Sequence, residues 1–239
     1  MLGYPERTKG IWQTVKRLLQ EGILGQIRQM NLALCEYRRW FWEAETMPAE
    51  ATALLREYSS MPDEFFAGWQ DWHRTPDQMG GGMFADTGTH WVDLMLWLAS
   101  APPAEVVAFS ESAGLPVEAF MSVQARLTSG VLLSLTSADA VPQGLLSGTW
   151  YLMIVGEGGV LTSNLKGEVW LHQAGKEQRV EAAIPDTNAA TAFVAAVREG
   201  GPNLAPAREG AYAVAFIEAA YRSAAEGQII QIDYGAREK

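Results

Sequence analysis

The sequence has few positive charges and almost no cysteine. It contains 18 Lys and Arg residues against 28 Asp and Glu residues, which gives a formal net charge of −10. Nucleic acids and anionic membrane surfaces are bound through clustered cations, so this balance disfavours both as partners. The single cysteine, Cys35, has no second cysteine in this sequence to pair with. We therefore expect a reducing, cytoplasmic setting, with Cys35 packed as a small hydrophobe.

Long apolar runs and nucleotide-binding glycine motifs are also missing. No stretch approaches the ~20 apolar residues of a membrane-spanning helix, and residues 1–10 lack the apolar core of a signal peptide. The sequence has no Gly-x-Gly-x-x-Gly after an N-terminal strand and no Gly-x-x-x-x-Gly-Lys-Ser/Thr. Its 239 residues, 48% hydrophobic and 19% charged, suit one globular domain over residues 1–239.

The pattern of apolar residues predicts an α+β fold. Helices are predicted at 11–19, 80–100, 189–199 and 207–226, and strands at 27–42, 106–112, 117–128, 131–138, 150–156, 160–164, 168–172, 178–182 and 229–232. Glycine-containing turns predict hairpins at 129–130, 157–159 and 166–167. Residues 43–71 lack a clear period and are interpreted as a covering loop. We expect one large, open, mostly antiparallel β-sheet with helices packed on one face, its other face free for homo-oligomerisation.

The segment Gly80–Trp97 carries the strongest chemical signal. Asp86, His90 and Asp93 lie at i, i+4 and i+7, so a helix places their side chains along one face. The remaining positions are mostly apolar, which predicts a helix that is largely buried. Buried polar side chains need partners because desolvation without one costs free energy. The polar stripe therefore marks either structural pairs or a functional site.

Three interpretations of this stripe stay open from the residues alone. His90 suits a general base because its unperturbed pKa of ~6.5 lies near working pH, and Asp86 could orient its imidazole. Alternatively, the two form a buried pair that only fixes the helix. A metal site is disfavoured, because three ligands on one straight helix rarely converge on a single ion.

The glycine run before this helix has two readings. Gly80, Gly81 and Gly82 precede a helix start, where backbone N–H groups can bind an anion such as phosphate. The run lacks the buried strand and downstream acid of a dinucleotide-binding unit, so we favour close packing of the helix start. Gly88, inside the helix, indicates that another group approaches the backbone there.

The motifs together resemble the Gfo/Idh/MocA oxidoreductases. The central one reads Gly-Gly-Gly-x-x-x-Asp-x-Gly-x-His-x-x-Asp over residues 80–93. It is accompanied by Gly-Tyr-x-x-Arg at 3–7, Glu-Gly-x-Leu-Gly-x-Ile at 21–27, Trp72 with Pro76, and Ala-Ala-Tyr-Arg-Ser-Ala-x-x-Gly at 219–227. The resemblance covers nearly the whole chain and matches the C-terminal half of that family. Residues 1–4 resemble the end of its N-terminal dinucleotide-binding domain, which is otherwise missing.

The resemblance implies a function and a set of site residues. Family members bind NAD or NADP in the N-terminal domain, and hold substrate and form oligomers through the C-terminal one. This chain would then be the substrate-binding and oligomerisation half of an enzyme oxidising a sugar, cyclitol or similar polyol, and no cofactor is expected to bind it alone. Catalysis would fall to His90 and Asp86. Substrate binding would fall to Asp93, Trp72, His73 and Arg7, and a nicotinamide or sugar ring would approach Gly88.

The sequence leaves some points open. The alternative function is a non-catalytic polyol-binding or assembly module that lacks its cofactor domain. Where the family often has Trp-Arg, this chain has Trp72-His73, so the resemblance does not identify the substrate. The choice of NAD or NADP and the oligomer size are not determined either.

Overall fold

Strand β1 lies at the centre of a nine-stranded sheet. The computed structural model describes residues 1–37, 75–139, 149–164 and 167–234, with the single positions 42, 49 and 53. Within them the strands are β1 (Ile27–Glu36), β2 (Pro103–Glu111), β3 (Phe120–Leu127), β4 (Leu132–Asp139), β5 (Thr149–Gly156), β6 (Gly159–Ser163), β7 (Val169–Gln173), β8 (Lys176–Val180) and β9 (Ile230–Gln231). The helices are a 3-10 helix (Pro5–Thr8), α1 (Gly10–Gln20), α2 (Pro76–Met79), α3 (Met83–Ala99), α4 (Ala189–Arg198) and α5 (Ala207–Glu226).

The strand order is β8-β7-β6-β5-β1-β4-β3-β2-β9. This confirms the predicted α+β fold with a large, mostly antiparallel sheet. The hairpins at 129–130 and 157–159 are also confirmed, whereas residue 166 of the third lies outside the described residues. One pair differs from the expected meander, because β1 runs parallel to β4. A parallel pair needs a long crossover, and α3 lies within the segment that connects these two strands.

The two faces of the sheet differ in burial. Met30, Leu32 and Leu34 of β1 are buried, while Asn31 between the first two is half-buried and Ala33 between the last two is exposed. This alternation has the period of two that one covered face produces. Helix α3 packs against β1 and β4, and α5 packs against β2. None of the helices in the described ranges is long and apolar enough to cross a membrane.

The start of α3 is held by a carboxylate from the loop before β3. Glu118, which is buried, accepts hydrogen bonds from the backbone N–H of Gly82 (2.8 Å) and of Phe84 (2.9 Å). These are groups that the first turn of a helix cannot satisfy internally, and a negative charge also suits the helix dipole there. The preference for close packing over phosphate binding at this glycine run is therefore confirmed.

The middle of α3 is held by a buried ion pair. Arg7 Nε lies 2.7 Å from Asp93 Oδ2, and Arg7 Nη2 lies 2.6 Å from Asp93 Oδ1. The two side chains are 1% and 0% exposed. Arg7 also donates to the Leu204 carbonyl (3.1 Å) and to the carboxylate of Glu209 on α5. One guanidinium thus joins the 3-10 helix, α3 and the start of α5.

The end of α3 is held by a lysine from α1. Lys16 Nζ donates to the Trp97 carbonyl (2.5 Å) and to the hydroxyl of Ser100, and it lies 5.6 Å from the centre of the Trp97 ring. A cation is favourable at a helix C-terminus, where carbonyls lack intrahelical partners. Burial lowers the pKa of Lys16 to about 8, with Arg7 adding to this shift and Glu209 opposing it.

We expect Gly82→Ala to destabilise the fold. A Cβ at Gly82 would lie 2.5 Å from the carbonyl oxygen of Glu118 and 2.9 Å from each of its carboxylate oxygens. Relieving such overlap should lower the free energy of unfolding by about 1–3 kcal/mol, as other overpacked sites do. Urea denaturation followed by circular dichroism measures the change. Gly3→Ala is the control, because its Cβ meets nothing within 4 Å. Equal effects of the two substitutions would contradict the packing argument.

Breaking the buried ion pair should cost more. Asp93→Asn keeps the side-chain shape but leaves Arg7 without its buried countercharge, so we expect a loss of about 3–5 kcal/mol in the free energy of unfolding. The matched control is Glu226→Gln, which removes an exposed pair with Arg222 on α5 and should change stability by less than about 1 kcal/mol. The same urea titration compares them, and a loss under about 1 kcal/mol for Asp93→Asn would show that the pair does not hold the fold.

Candidate active site

His90 lies on α3 against the aromatic ring of Tyr4. The two ring centroids are 5.9 Å apart, and the ring planes meet at 82°. This edge-to-face arrangement is a favoured aromatic geometry that fixes the orientation of both rings. Burial raises the pKa of the Tyr4 hydroxyl, and the side chain of Thr89, the residue before His90, opposes that rise. The imidazole therefore stands half-buried beside the N-terminal segment.

One ring nitrogen of His90 lacks a partner. Nδ1 is buried and forms no hydrogen bond with any residue in the described ranges. Asp86 lies one turn earlier on α3 and is half-buried. It shares the helix face with His90 as predicted but does not bond to Nδ1. If Asp86 orients or stabilises the imidazole of His90 as expected, it acts through Nε2 or through its negative charge and not through Nδ1.

Arg7 and Asp93, both predicted to bind substrate, form a buried ion pair with each other. Both oxygens of Asp93 accept from the guanidinium, and neither side chain is exposed. Burial raises the pKa of Asp93, and the hydrogen bonds from Arg7 oppose that rise. Both residues hold the helix behind His90, and their contact with a substrate stays a prediction.

Trp72 and His73, the other two residues predicted to bind substrate, lie outside the described residues. So does most of the segment 43–71 interpreted as a covering loop.

The sequence indicated that another group lies close to the backbone of Gly88, and in the structure that group is the ring of Phe84. A Cβ at Gly88 would lie 2.9 Å from a ring carbon of Phe84, one turn earlier on α3. Phe84 is fully buried, and its ring packs edge-on against Tyr221 at a centroid distance of 6.1 Å. A core ring thus accounts for the small residue at this position.

The site residues do not form a cofactor-phosphate or metal site by themselves. The N–H groups of Gly82 and Phe84 at the start of α3 are bonded to Glu118, so a dinucleotide phosphate does not fit there. Within the described ranges, no group of three or more His, Cys, Asp or Glu side chains could hold a metal ion. The chemistry that His90 and its neighbours can supply is hydrogen bonding and proton transfer.

Several residues that shape the site were not indicated as such by the sequence. Tyr4 is one position of the Gly-Tyr-x-x-Arg motif but was not predicted to shape the site, and neither Glu118 nor Lys16 belongs to a motif. A signal for Tyr4 did exist: it precedes Arg7 by three residues, just as His90 precedes Asp93 by three. If Arg7 pairs with Asp93, matching spacing brings Tyr4 next to His90. For Glu118 and Lys16 the sequence carries no comparable signal.

Comparison with known proteins places this geometry in context. A 1,5-anhydro-D-fructose reductase from Ensifer adhaerens is 28% identical over 176 residues, which cover 70% of this chain and 52% of that protein. The aldose-aldose oxidoreductase from Caulobacter crescentus, solved with glycerol, has a similar structure, with a TM-score of 0.72 at 18% identity over 97% of this chain and 63% of that one.

An oxidoreductase from Agrobacterium radiobacter, solved with NAD+, L-tartaric acid and magnesium, has a TM-score of 0.69 at 15% identity, covering 95% of this chain and 63% of that one. Likeness at these identities shows a shared fold. The chain thus spans about half of the curated relative and under two thirds of these two solved chains. The family model for the GFO/IDH/MocA C-terminal domain matches residues 12–162, more than half of the sequence. The chain therefore belongs to the Gfo/Idh/MocA oxidoreductase family and corresponds to its C-terminal domain.

Proposed function

We propose that this chain is the substrate-binding and oligomerisation half of an NAD(P)-dependent oxidoreductase that acts on a sugar, cyclitol or similar polyol. The observation that carries the proposal is the orphaned Nδ1 of His90, held beside Tyr4 on a helix that is anchored at both ends. Family membership and the sugar-acting relatives support the substrate class. The single cysteine supports a cytoplasmic location.

His90 is the proposed base for the substrate hydroxyl. A buried polar atom without a partner costs about 1–3 kcal/mol, and a ligand hydroxyl that reached the imidazole would recover part of it. During alcohol oxidation the hydroxyl proton would pass to the His90 ring as the carbonyl forms. In a complete enzyme, bound NAD(P) would take the hydride from the carbinol carbon. Asp86 would stabilise the resulting imidazolium by its charge from the preceding turn of α3.

His90→Ala tests the base. We expect kcat for polyol oxidation to fall by at least ~10², the usual contribution of a general base. The assay uses this chain joined to a dinucleotide-binding domain of a family member, with NAD+ or NADP+, myo-inositol and D-glucose, and follows the formation of reduced cofactor. His172→Ala is the control, because this histidine lies on β7 and contacts Thr162 instead. An unchanged kcat in His90→Ala would exclude His90 as the base.

The chain joined to a dinucleotide-binding domain also distinguishes the proposed enzyme from a non-catalytic module. If it binds a polyol by calorimetry but turns over none of them, the alternative of a polyol-binding or assembly module is favoured. Micromolar binding of NAD(P) to the chain alone would contradict both, since neither assigns a cofactor site to it.

We propose that oligomerisation uses the face of the sheet opposite to helices α3 and α5. Phe109, Ala33 and Tyr151 lie in one row across β2, β1 and β5, joined through the register of β3 and β4. Phe109 is 76% exposed and Tyr151 is 38% exposed. Large apolar side chains exposed on a sheet face favour burial against a second copy of the chain.

The double substitution Phe109→Lys with Tyr151→Lys should dissociate the oligomer, because it places two charges in the proposed interface. Light scattering after size exclusion should give a multiple of the 26.1 kDa chain for the wild type and a lower mass for the variant. Val214→Lys is the control, since Val214 is 59% exposed on α5, a helix that covers the other face. A monomeric wild type, or a variant that keeps the wild-type mass, would overturn this interface.

A further inference from the structure

A cavity lies at the C-terminal end of α3, separate from His90. It has a volume of about 550 Å³, which is within the range of small-molecule sites. Its walls come from the 3-10 helix, α1, α3 and α5, and they include the aromatic residues Trp97 and Tyr212. His90 and Asp86 do not line it. The proposed polyol chemistry makes no use of this space.

The charge of the cavity is opposite to that of the protein. Arg7, Lys16 and Arg208 line it, against the single carboxylate of Glu209. The chain as a whole carries a formal net charge of −10. Arg7 is paired with both Glu209 and the buried Asp93, so its charge is compensated inside the protein, and Lys16 and Arg208 are the remaining cations of the wall. A positive pocket in an acidic protein attracts small anions.

Lys16 is the cation best placed to meet such an anion. It is 9% exposed, and its ammonium group has three hydrogens to donate. The Trp97 carbonyl and the Ser100 hydroxyl accept two of them. No carboxylate in the described ranges forms an ion pair with Lys16. Capping of α3 therefore explains two of the three donors and leaves a third beside the cavity, where Glu209 compensates the buried charge of Lys16 only in part.

Burial of this charge would be relieved by an anionic ligand. An ion removed from water is stabilised by a countercharge with which it can hydrogen-bond. The lowered pKa of Lys16, about 8, agrees with an ammonium group that lacks such a partner. The rings of Trp97 and Tyr212 would offer contact area for the carbon skeleton of a ligand.

We propose that this cavity is a second binding site for a small polyhydroxylated anion, whose carboxylate or phosphate contacts Lys16 and whose carbon skeleton lies against Trp97 and Tyr212. A sugar acid and a sugar phosphate share this chemistry. The site does not depend on the proposed activity at His90, because neither His90 nor Asp86 lines the cavity.

Isothermal titration calorimetry of the chain with D-gluconate, D-glucose 6-phosphate and neutral D-glucose tests the site. At constant ionic strength, at least one anion should bind at least tenfold more tightly than D-glucose, and the tighter anion tells a sugar acid from a sugar phosphate. Lys16→Met should weaken that binding at least tenfold. Lys176→Met, which removes an exposed lysine on β8, should leave it unchanged.

Two outcomes would overturn the proposal. Equal affinity for D-glucose and both anions would show that the cavity does not bind anions in preference to neutral sugars. Loss of anion binding in His90→Ala, with Lys16→Met unaffected, would place the anion at the candidate active site instead. Since His90 does not line the cavity, its removal should leave anion binding unchanged.

The pH dependence in the wild type keeps the test valid if Lys16→Met fails to fold. D-Gluconate stays ionised from pH 7 to 9, while Lys16 loses its charge near pH 8. The affinity for D-gluconate should then fall about tenfold from pH 7 to 9, because one pH unit above its pKa only about a tenth of a lysine is still charged. The other charged groups facing Lys16 are Arg7, Arg208 and Glu209. Constant affinity from pH 7 to 9 would exclude Lys16 as the contact.

Discussion

The buried pair between Arg7 and Asp93 is the interaction on which the site depends. It joins positions 86 residues apart, and both side chains are excluded from solvent. An ion pair in this setting tolerates little displacement, because either charge left alone would be strongly destabilising. Since Tyr4 precedes Arg7 and His90 precedes Asp93 by the same three residues, the pair also sets the contact between the two aromatic rings.

Three long polar side chains hold helix α3 along its length. Glu118 bonds the backbone N–H groups of Gly82 and Phe84, Arg7 holds the middle, and Lys16 bonds the carbonyl oxygen of Trp97 near the C-terminal end. Their signs agree with the helix dipole, which favours an anion at the N-terminus and a cation at the C-terminus. A helix fixed at three points can present His90 in one orientation. Such rigidity is what a proton-transfer site requires from its scaffold.

The fold separates three surfaces with different chemistry. The candidate base lies half-buried at the N-terminal segment, and a positive cavity lies at the far end of the same helix. The exposed aromatic side chains of Phe109 and Tyr151 lie on the opposite face of the sheet. The three surfaces are separable because the described helices α3 and α5 pack on one face, and because α3 is long enough, at 17 residues, to have distinct environments at its two ends. Substitutions at one surface should therefore act largely independently of the others.

The sequence by itself determined the elements and the family. Alternating apolar residues located the strands, glycine turns located two hairpins, and the motif over residues 80–93 identified the Gfo/Idh/MocA domain. These signals are local, because periodicity reports which side of an element is buried and glycine reports backbone conformation.

Only the tertiary structure decided which residues meet. This class contains the parallel pairing of β1 with β4, the ion pair between Arg7 and Asp93, and the ring of Phe84 beside Gly88. The two caps of α3 were also decided by the tertiary structure. Glu118 lies 36 residues beyond Gly82, and Lys16 lies 81 residues before Trp97. A periodic pattern shows that a polar side chain on a buried face needs a partner. It does not name the partner, because that depends on how distant segments pack.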